Sequence, residues 1–147
     1  MTAFQPLDAD YRRRVTESFS RQKAMALIGA SLTSVEPGEV EIALPYRDDL
    51  TQQKGFIHGG ILGMIADTAC GYAAFSLMPA GGSLVTVEYK MNILKPGRGS
   101  LVAQGKVIRP GRTLTVARAE VYADDGSHVA TMLQTLMALP GRPDTPE

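Results

Sequence analysis

The sequence predicts an α+β domain in which one antiparallel sheet of five or six strands wraps a single long apolar helix. Three observations carry this reading. Residues 58–78 hold one charge, Asp67, and a helix apolar on every face belongs inside a protein. Four strand-like runs follow it, each closed by turn residues, and short links between strands predict antiparallel neighbours. Ahead of the helix, residues 31–44 switch to a period of two, which supplies the remaining strands. Helices and strands segregated along the chain point to α+β rather than to an alternating α/β fold.

Taken in order, residues 1–30 form an N-terminal helical segment. Acidic residues precede arginines over 8–20, as the helix dipole favours. Phe19, Met25, Leu27 and Ile28 supply apolar anchors before Gly29, and Arg12-Arg13-Arg14 reads as a solvated helix face. Pro37-Gly38 turns the chain. Val40, Ile42 and Leu44 then alternate with Glu39, Glu41 and Ala43 until Pro45. Residues 47–54 are polar and aperiodic, a surface loop of the kind that carries binding groups. Pro79-Ala80-Gly81-Gly82 stops the long helix. Strands are predicted over 84–94, 100–108, 113–123 and 128–138. Val85, Val87 and Met91 read as an outward apolar face opposite Leu84 and Thr86, which predicts a second covering surface, most simply another subunit. Residues 31–139 make one domain, and 140–147 read as a disordered tail.

Composition narrows the function. The 147 residues carry no net charge, so there is no basic footprint for nucleic acid. Cys70 is the only cysteine, which excludes an internal disulfide and suits a reducing compartment. The first residues have no secretory pattern. A central Asp costs about 2.5–3.5 kcal/mol on membrane-insertion scales, which argues against a membrane span. The expectation is a cytoplasmic protein without membrane or nucleic-acid partners. Two distant histidines and one cysteine set out no metal site, and no cofactor is called for.

Gly55-Phe56-Ile57-His58-Gly59-Gly60, then Asp67-Thr68-Ala69, then a Thr/Val-rich strand and Pro96-Gly97-Arg98-Gly99 resemble the hotdog-fold acyl-CoA thioesterases. The similarity is greatest to their PaaI-type (phenylacetate-pathway) branch and runs over about 27–139. It implies a sheet wrapped around a central helix, a homodimer often doubled to a homotetramer, and a thioester of CoA as substrate. By position, it implies that Asp67 is the catalytic carboxylate and Gly59 the backbone amide that polarises the carbonyl. Gln52 falls where relatives carry Asn or Gln, and Thr86 where some carry a Ser or Thr that orients water. Arg109, Arg112 and Thr113 fall on a turn used near the CoA phosphates. His58 and Gly60 complete the substrate-binding motif.

The chemistry also stands on the residues themselves. N–H groups at a helix start are free donors aided by the dipole, and glycines let a substrate approach closely. Asp67 can act as general base on water or as nucleophile. Eight residues of helix separate Gly59 from Asp67, about 12 Å of rise, while attack needs about 3–3.5 Å. One thioester can meet both only if they come from two subunits with antiparallel helices. Small residues at Gly63, Gly71 and Ala74 leave room on the Asp67 face. Plainer readings exist: a tight glycine turn, a structural Asp67 paired to Lys90 or Arg118, a buried inert Cys70, a His58 that bonds backbone. A non-catalytic acyl-CoA or acyl-carrier binding module is the alternative function. A hydratase of the same fold would need Gly-Asp-x-Asn-Pro-x-His or His-Phe-Pro-Gly, and neither is present.

Overall fold

The structure is a computed structural model that describes residues 3–146. Two short helices, α1 (Tyr11–Ser20) and α2 (Lys23–Ile28), precede a hairpin of β1 (Ser31–Glu36) and β2 (Glu39–Leu44). Gly38 makes its turn at φ +78°, a left-handed conformation that costs glycine no side-chain clash. A single 3-10 turn at Asp48–Leu50 interrupts the polar loop before the long helix α3 (Gly59–Phe75). Then come β3 (Ser83–Ile93), β4 (Leu101–Arg109), β5 (Leu114–Ala123) and β6 (His128–Leu139). The six strands form one antiparallel sheet in the order β1-β2-β4-β5-β6-β3.

The last four strands are not all neighbours in sequence order, as the short links predict. β4, β5 and β6 follow that rule, but β3 pairs with β6 at the edge. The link from β3 to β4 passes the start of α3, where Ile57 N–H donates to the Gly97 carbonyl at 2.9 Å. It thereby carries the chain from the edge to the middle of the sheet, where β4 inserts between β2 and β5. A second difference lies within β3. Its register shifts between Thr86 and Glu88, a bulge at Val87 that exchanges the faces of every later residue. Met91, predicted to face outward, therefore packs toward α3, where its methyl group and the Tyr89 hydroxyl cover Gly63.

The concave face of the sheet takes up α3, and Leu62, Ile65, Ala66, Ala69, Cys70 and Ala73 are completely or almost completely buried against it. How close the two layers lie is set at Gly105 on β4. A Cβ placed there would lie 2.3 Å from the carbonyl carbon and oxygen of Ala69, so helix and strand backbones touch. Cys70 sits beside this contact, and burial pushes its thiol well above the usual range, with the Asp67 charge adding to the effect.

The arginine run divides. Arg12 and Arg13 are exposed and paired with Glu36, Asp10 and Glu17. Arg14 instead turns inward, pairs with Asp8 at 2.9 Å and lies 4.5 Å from the Phe75 ring. It donates to the carbonyls of Phe75, Met78 and Pro79, so α1 satisfies the orphan acceptors at the end of α3. Among the described residues no helix is long and apolar enough to cross a membrane.

Gly105→Ala is expected to lower stability by about 3 kcal/mol through overpacking against backbone, read from urea unfolding midpoints. Native Cys70 should resist iodoacetamide at about pH 8, since the thiolate is the reactive form. The urea-unfolded chain should be alkylated fully under the same conditions.

Candidate active site

Asp67 sits in the middle of α3 on the side that faces β3. Gln134 of β6, wholly buried, donates from Nε2 to Asp67 Oδ1 at 2.6 Å and to Thr86 Oγ1 at 2.9 Å. The Thr86 hydroxyl in turn donates to Asp67 Oδ1 at 2.8 Å. One carboxylate oxygen is thus held by two donors. Among the described residues Oδ2 has no hydrogen-bond partner, and Asp67 lines a pocket of about 170 Å³ with Thr68, Gly71, Tyr72, Phe75 and Leu84. A Cβ at Gly71 would meet nothing within 4 Å, so this glycine keeps the approach to the carboxylate open. Burial raises the Tyr72 phenol above its ordinary range, which keeps it a neutral hydrogen-bonding group.

The structural alternative for Asp67 finds no support. Lys90 Nζ donates to Asn92 Oδ1 at 3.1 Å, and Arg118 lines a groove with Glu39, Lys106 and Glu120 away from Asp67. Asp67 is therefore held by neutral donors rather than neutralised by a cation.

At the other end of α3, His58 is the N-cap. Its Nδ1 accepts from the Gly60 N–H at 2.8 Å, so its ring bonds backbone. The Gly59 N–H has no acceptor among the described residues and stands at the positive end of the helix dipole. The loop before it is tightly braced: His58 N–H donates to the Leu50 carbonyl and Gln52 N–H to the Phe56 carbonyl. Gln52 Oε1 accepts from the Lys54 N–H, leaving the side-chain NH₂ as its donor end. Arg109, Arg112 and Thr113 are exposed on the β4–β5 turn. Arg112 lines an apolar cavity of about 850 Å³ with Ala74, Leu77 and Met78, at the end of α3 remote from Gly59.

The predicted residues thus fall into three places in one chain. Asp67 and Thr86 meet. Gln52, His58, Gly59 and Gly60 gather at the start of α3, and the arginine turn lies near its end. Gln134 is the partner that sequence reasoning missed. Its signal was a polar residue between Met132 and Leu136 on the inward phase of an apolar strand, where an unpaired amide would be costly. Its amide oxygen is buried without a partner among the described residues, so the orientation that serves Asp67 and Thr86 carries a cost of about 1–3 kcal/mol. Among the described residues no group of three or more His, Cys, Asp or Glu side chains could hold a metal ion.

Comparison with known proteins identifies the family. The model of the thioesterase superfamily matches residues 54–130, more than half of the chain. A putative esterase of Halobacterium salinarum is 32% identical over 127 residues, covering 82% of each protein. The crystal structure of a thioesterase family protein from Silicibacter pomeroyi is 49% identical and superposes with a TM-score of 0.86, over 89% of this chain and 99% of that one. The E. coli PaaI protein from the phenylacetic acid degradation operon shares the fold at 21% identity and a TM-score of 0.85, over 92% and 98%. With a carboxylate carried by the wrapped helix and glycines at its start, the chain belongs to the thioesterase superfamily and has its hotdog fold.

Proposed function

We propose that this enzyme hydrolyses acyl-CoA thioesters, at two equivalent sites each shared by two subunits. The observation that carries this is Asp67, with Oδ1 fixed by Thr86 and Gln134, Oδ2 uncommitted, and the residue lining a pocket. A carboxylate presented in this way can take the proton of an attacking water or attack the carbonyl itself. In the first route, water adds to the thioester carbon and Asp67 accepts its proton. The oxyanion is held by the Gly59 N–H, the C–S bond breaks, and Asp67 returns the proton to the leaving thiolate. Free CoA and a carboxylic acid result. An oxyanion donor of this type contributes about 3–4 kcal/mol to the transition state in well-studied hydrolases.

The two-subunit arrangement follows from distance. Gly59 and Asp67 stand about 12 Å apart along one helix, too far to act on one carbonyl. β3 supplies the means of joining two chains. It is an edge strand of 11 residues, and Val85, Val87, Tyr89 and Ile93 are each 43–54% exposed. A long apolar edge of this kind invites pairing with another chain. Antiparallel pairing of two β3 strands about a two-fold axis would lay the α3 helices side by side and bring Gly59 of the second subunit to Asp67. The turn with Arg109, Arg112 and Thr113 would then stand on the same side, with guanidinium groups suited to the CoA phosphates. Gln52, next to Gly59, would add its side-chain NH₂. On the back of the sheet Val85, Met137 and Leu114 form an exposed row across three strands, which favours a further pairing of dimers into a tetramer. The lone buried thiol fits work in a reducing compartment such as the cytoplasm.

Two inactive variants test the shared site. Asp67→Asn removes the base. Gly59→Pro removes the single N–H at the first helical position, where proline is tolerated, and His58 already has the extended backbone that precedes proline (ψ 137°). Each homodimer is expected to lose activity against an acyl-CoA panel followed with a thiol reagent. Mixed as equal unfolded and refolded populations, they should recover about a quarter of the wild-type rate, because half the dimers then hold one intact site. No recovery would place both residues in one chain's site, and homodimers that kept the wild-type rate would remove them from the reaction.

Gln134→Leu separates holding Asp67 from holding the fold. It deletes donors to a charged group, worth about 1.5–3 kcal/mol, together with the orphaned oxygen. kcat should fall about 10–100-fold while KM and Tm change little. A proportional loss of Tm would mark Gln134 as structural instead.

A further inference from the structure

One wall of the Asp67 pocket carries a residue from the C-terminal segment, Asp144. Asp144 accepts a hydrogen bond from the Ser18 hydroxyl. Arg21 Nη2 lies 3.1 Å from the Asp144 carboxylate and donates to its carbonyl at 2.8 Å. Ser18 Oγ is also 3.0 Å from the Tyr72 hydroxyl. Ser18, Gln22, Tyr72 and Asp144 line the same 170 Å³ pocket as Asp67 and Thr86. The same four residues, with Leu84, also line a second groove of about 650 Å³ that continues along Leu139, Pro143 and Pro146. The two spaces thus share one largely polar wall, and Asp144 is the part of that wall contributed by the segment after the last strand.

We propose that Asp144, pinned by Arg21 and Ser18, is the acyl-length stop of this thioesterase and restricts the site to short acyl groups. The proposal rests on the acyl-CoA reading above. Size supports it: a cavity of about 150 Å³ accommodates benzene, so a pocket of about 170 Å³ has room for a short acyl group only. A longer chain would press methylenes against the Asp144 carboxylate, and stripping water from a carboxylate without a new partner is costly. The pair contributes little to the fold, because the Arg21 and Asp144 side chains are 47% and 40% exposed and such pairs are weak. What it does is hold a tail residue at the pocket. Once the carboxylate is removed or released, the pocket opens into the second groove, and each further methylene that becomes buried raises kcat/KM about fourfold.

The test uses the full-length protein and its Asp144→Ala and Arg21→Ala variants with butanoyl-, octanoyl- and dodecanoyl-CoA, and Asp67→Asn as the inactive reference. The readout is the ratio of kcat/KM for dodecanoyl- over butanoyl-CoA, which a general loss of structure would not raise. Both variants are expected to raise it about tenfold or more. If the wild type is active and dependent on Asp67 but neither variant changes the ratio, the length stop is overturned and the thioesterase reading stands. If the wild type turns over none of these thioesters, both are overturned.

Discussion

A single carboxylate has to ride on a helix that is otherwise too apolar to be anywhere but the core, and most of the structure meets that constraint. The sheet buries α3 on one side, and contact between backbones at Gly105 and Ala69 sets how deep it lies. On the β3 side the sheet ends, so Asp67 is only half-buried while its neighbours Ala66, Ala69 and Cys70 are fully enclosed. Burying it fully would have required a counter-charge. Instead one oxygen takes two neutral donors and the other stays open. A carboxylate held through one oxygen by neutral donors leaves its other oxygen uncommitted, whereas an ion pair with Lys90 or Arg118 would occupy it.

The start of the same helix shows how cap chemistry decides which amide is available. An N-cap side chain accepts from the second or third helical N–H. His58 follows this rule and takes Gly60. The first helical N–H is left over, and here it belongs to Gly59, where a Cβ would press on the Ile93 side chain at 3.0 Å. The pair of glycines is thus not two equivalent donors: one amide completes the cap, and the other remains free.

Much of this was legible in the chain because it rests on periodicity. The long helix, the strand runs and Asp67 as the helix's one charge follow from apolar spacing and turn residues, whereas Thr86 was marked only by the family resemblance. What was hidden depends on single insertions and on contacts distant in sequence. The bulge at Val87 leaves no trace in composition, yet it reverses the faces of Tyr89 and Met91. The place of β3 at the edge depends on where the link through Gly97 is tied, which no local pattern records. Arg14 looked like its two neighbours, but residues on a helix turn about 100° at each step, and the third arginine falls on the side of Val15 and Ser18. Gln134 was visible as a polar residue among apolar ones, but its meaning needed the strand's phase and the identity of what lay opposite.

Thr86 joins the constraint on the helix to the proposed assembly. It lies on the edge strand, donates to Asp67 and precedes the bulged Val87 by one residue. An edge strand of this length and apolarity is an aggregation hazard when left open. In the proposed dimer its backbone groups would be paired by the second β3, and that pairing would also fix the position of the Thr86 hydroxyl. Covering the edge and positioning the carboxylate's donor are then one event, and the same event delivers the free Gly59 amide from the other chain. In an isolated subunit Asp67 and its donors lie at the middle of α3 and the Gly59 amide at its start, with about two turns of helix between them, so the proposed reaction needs the second chain.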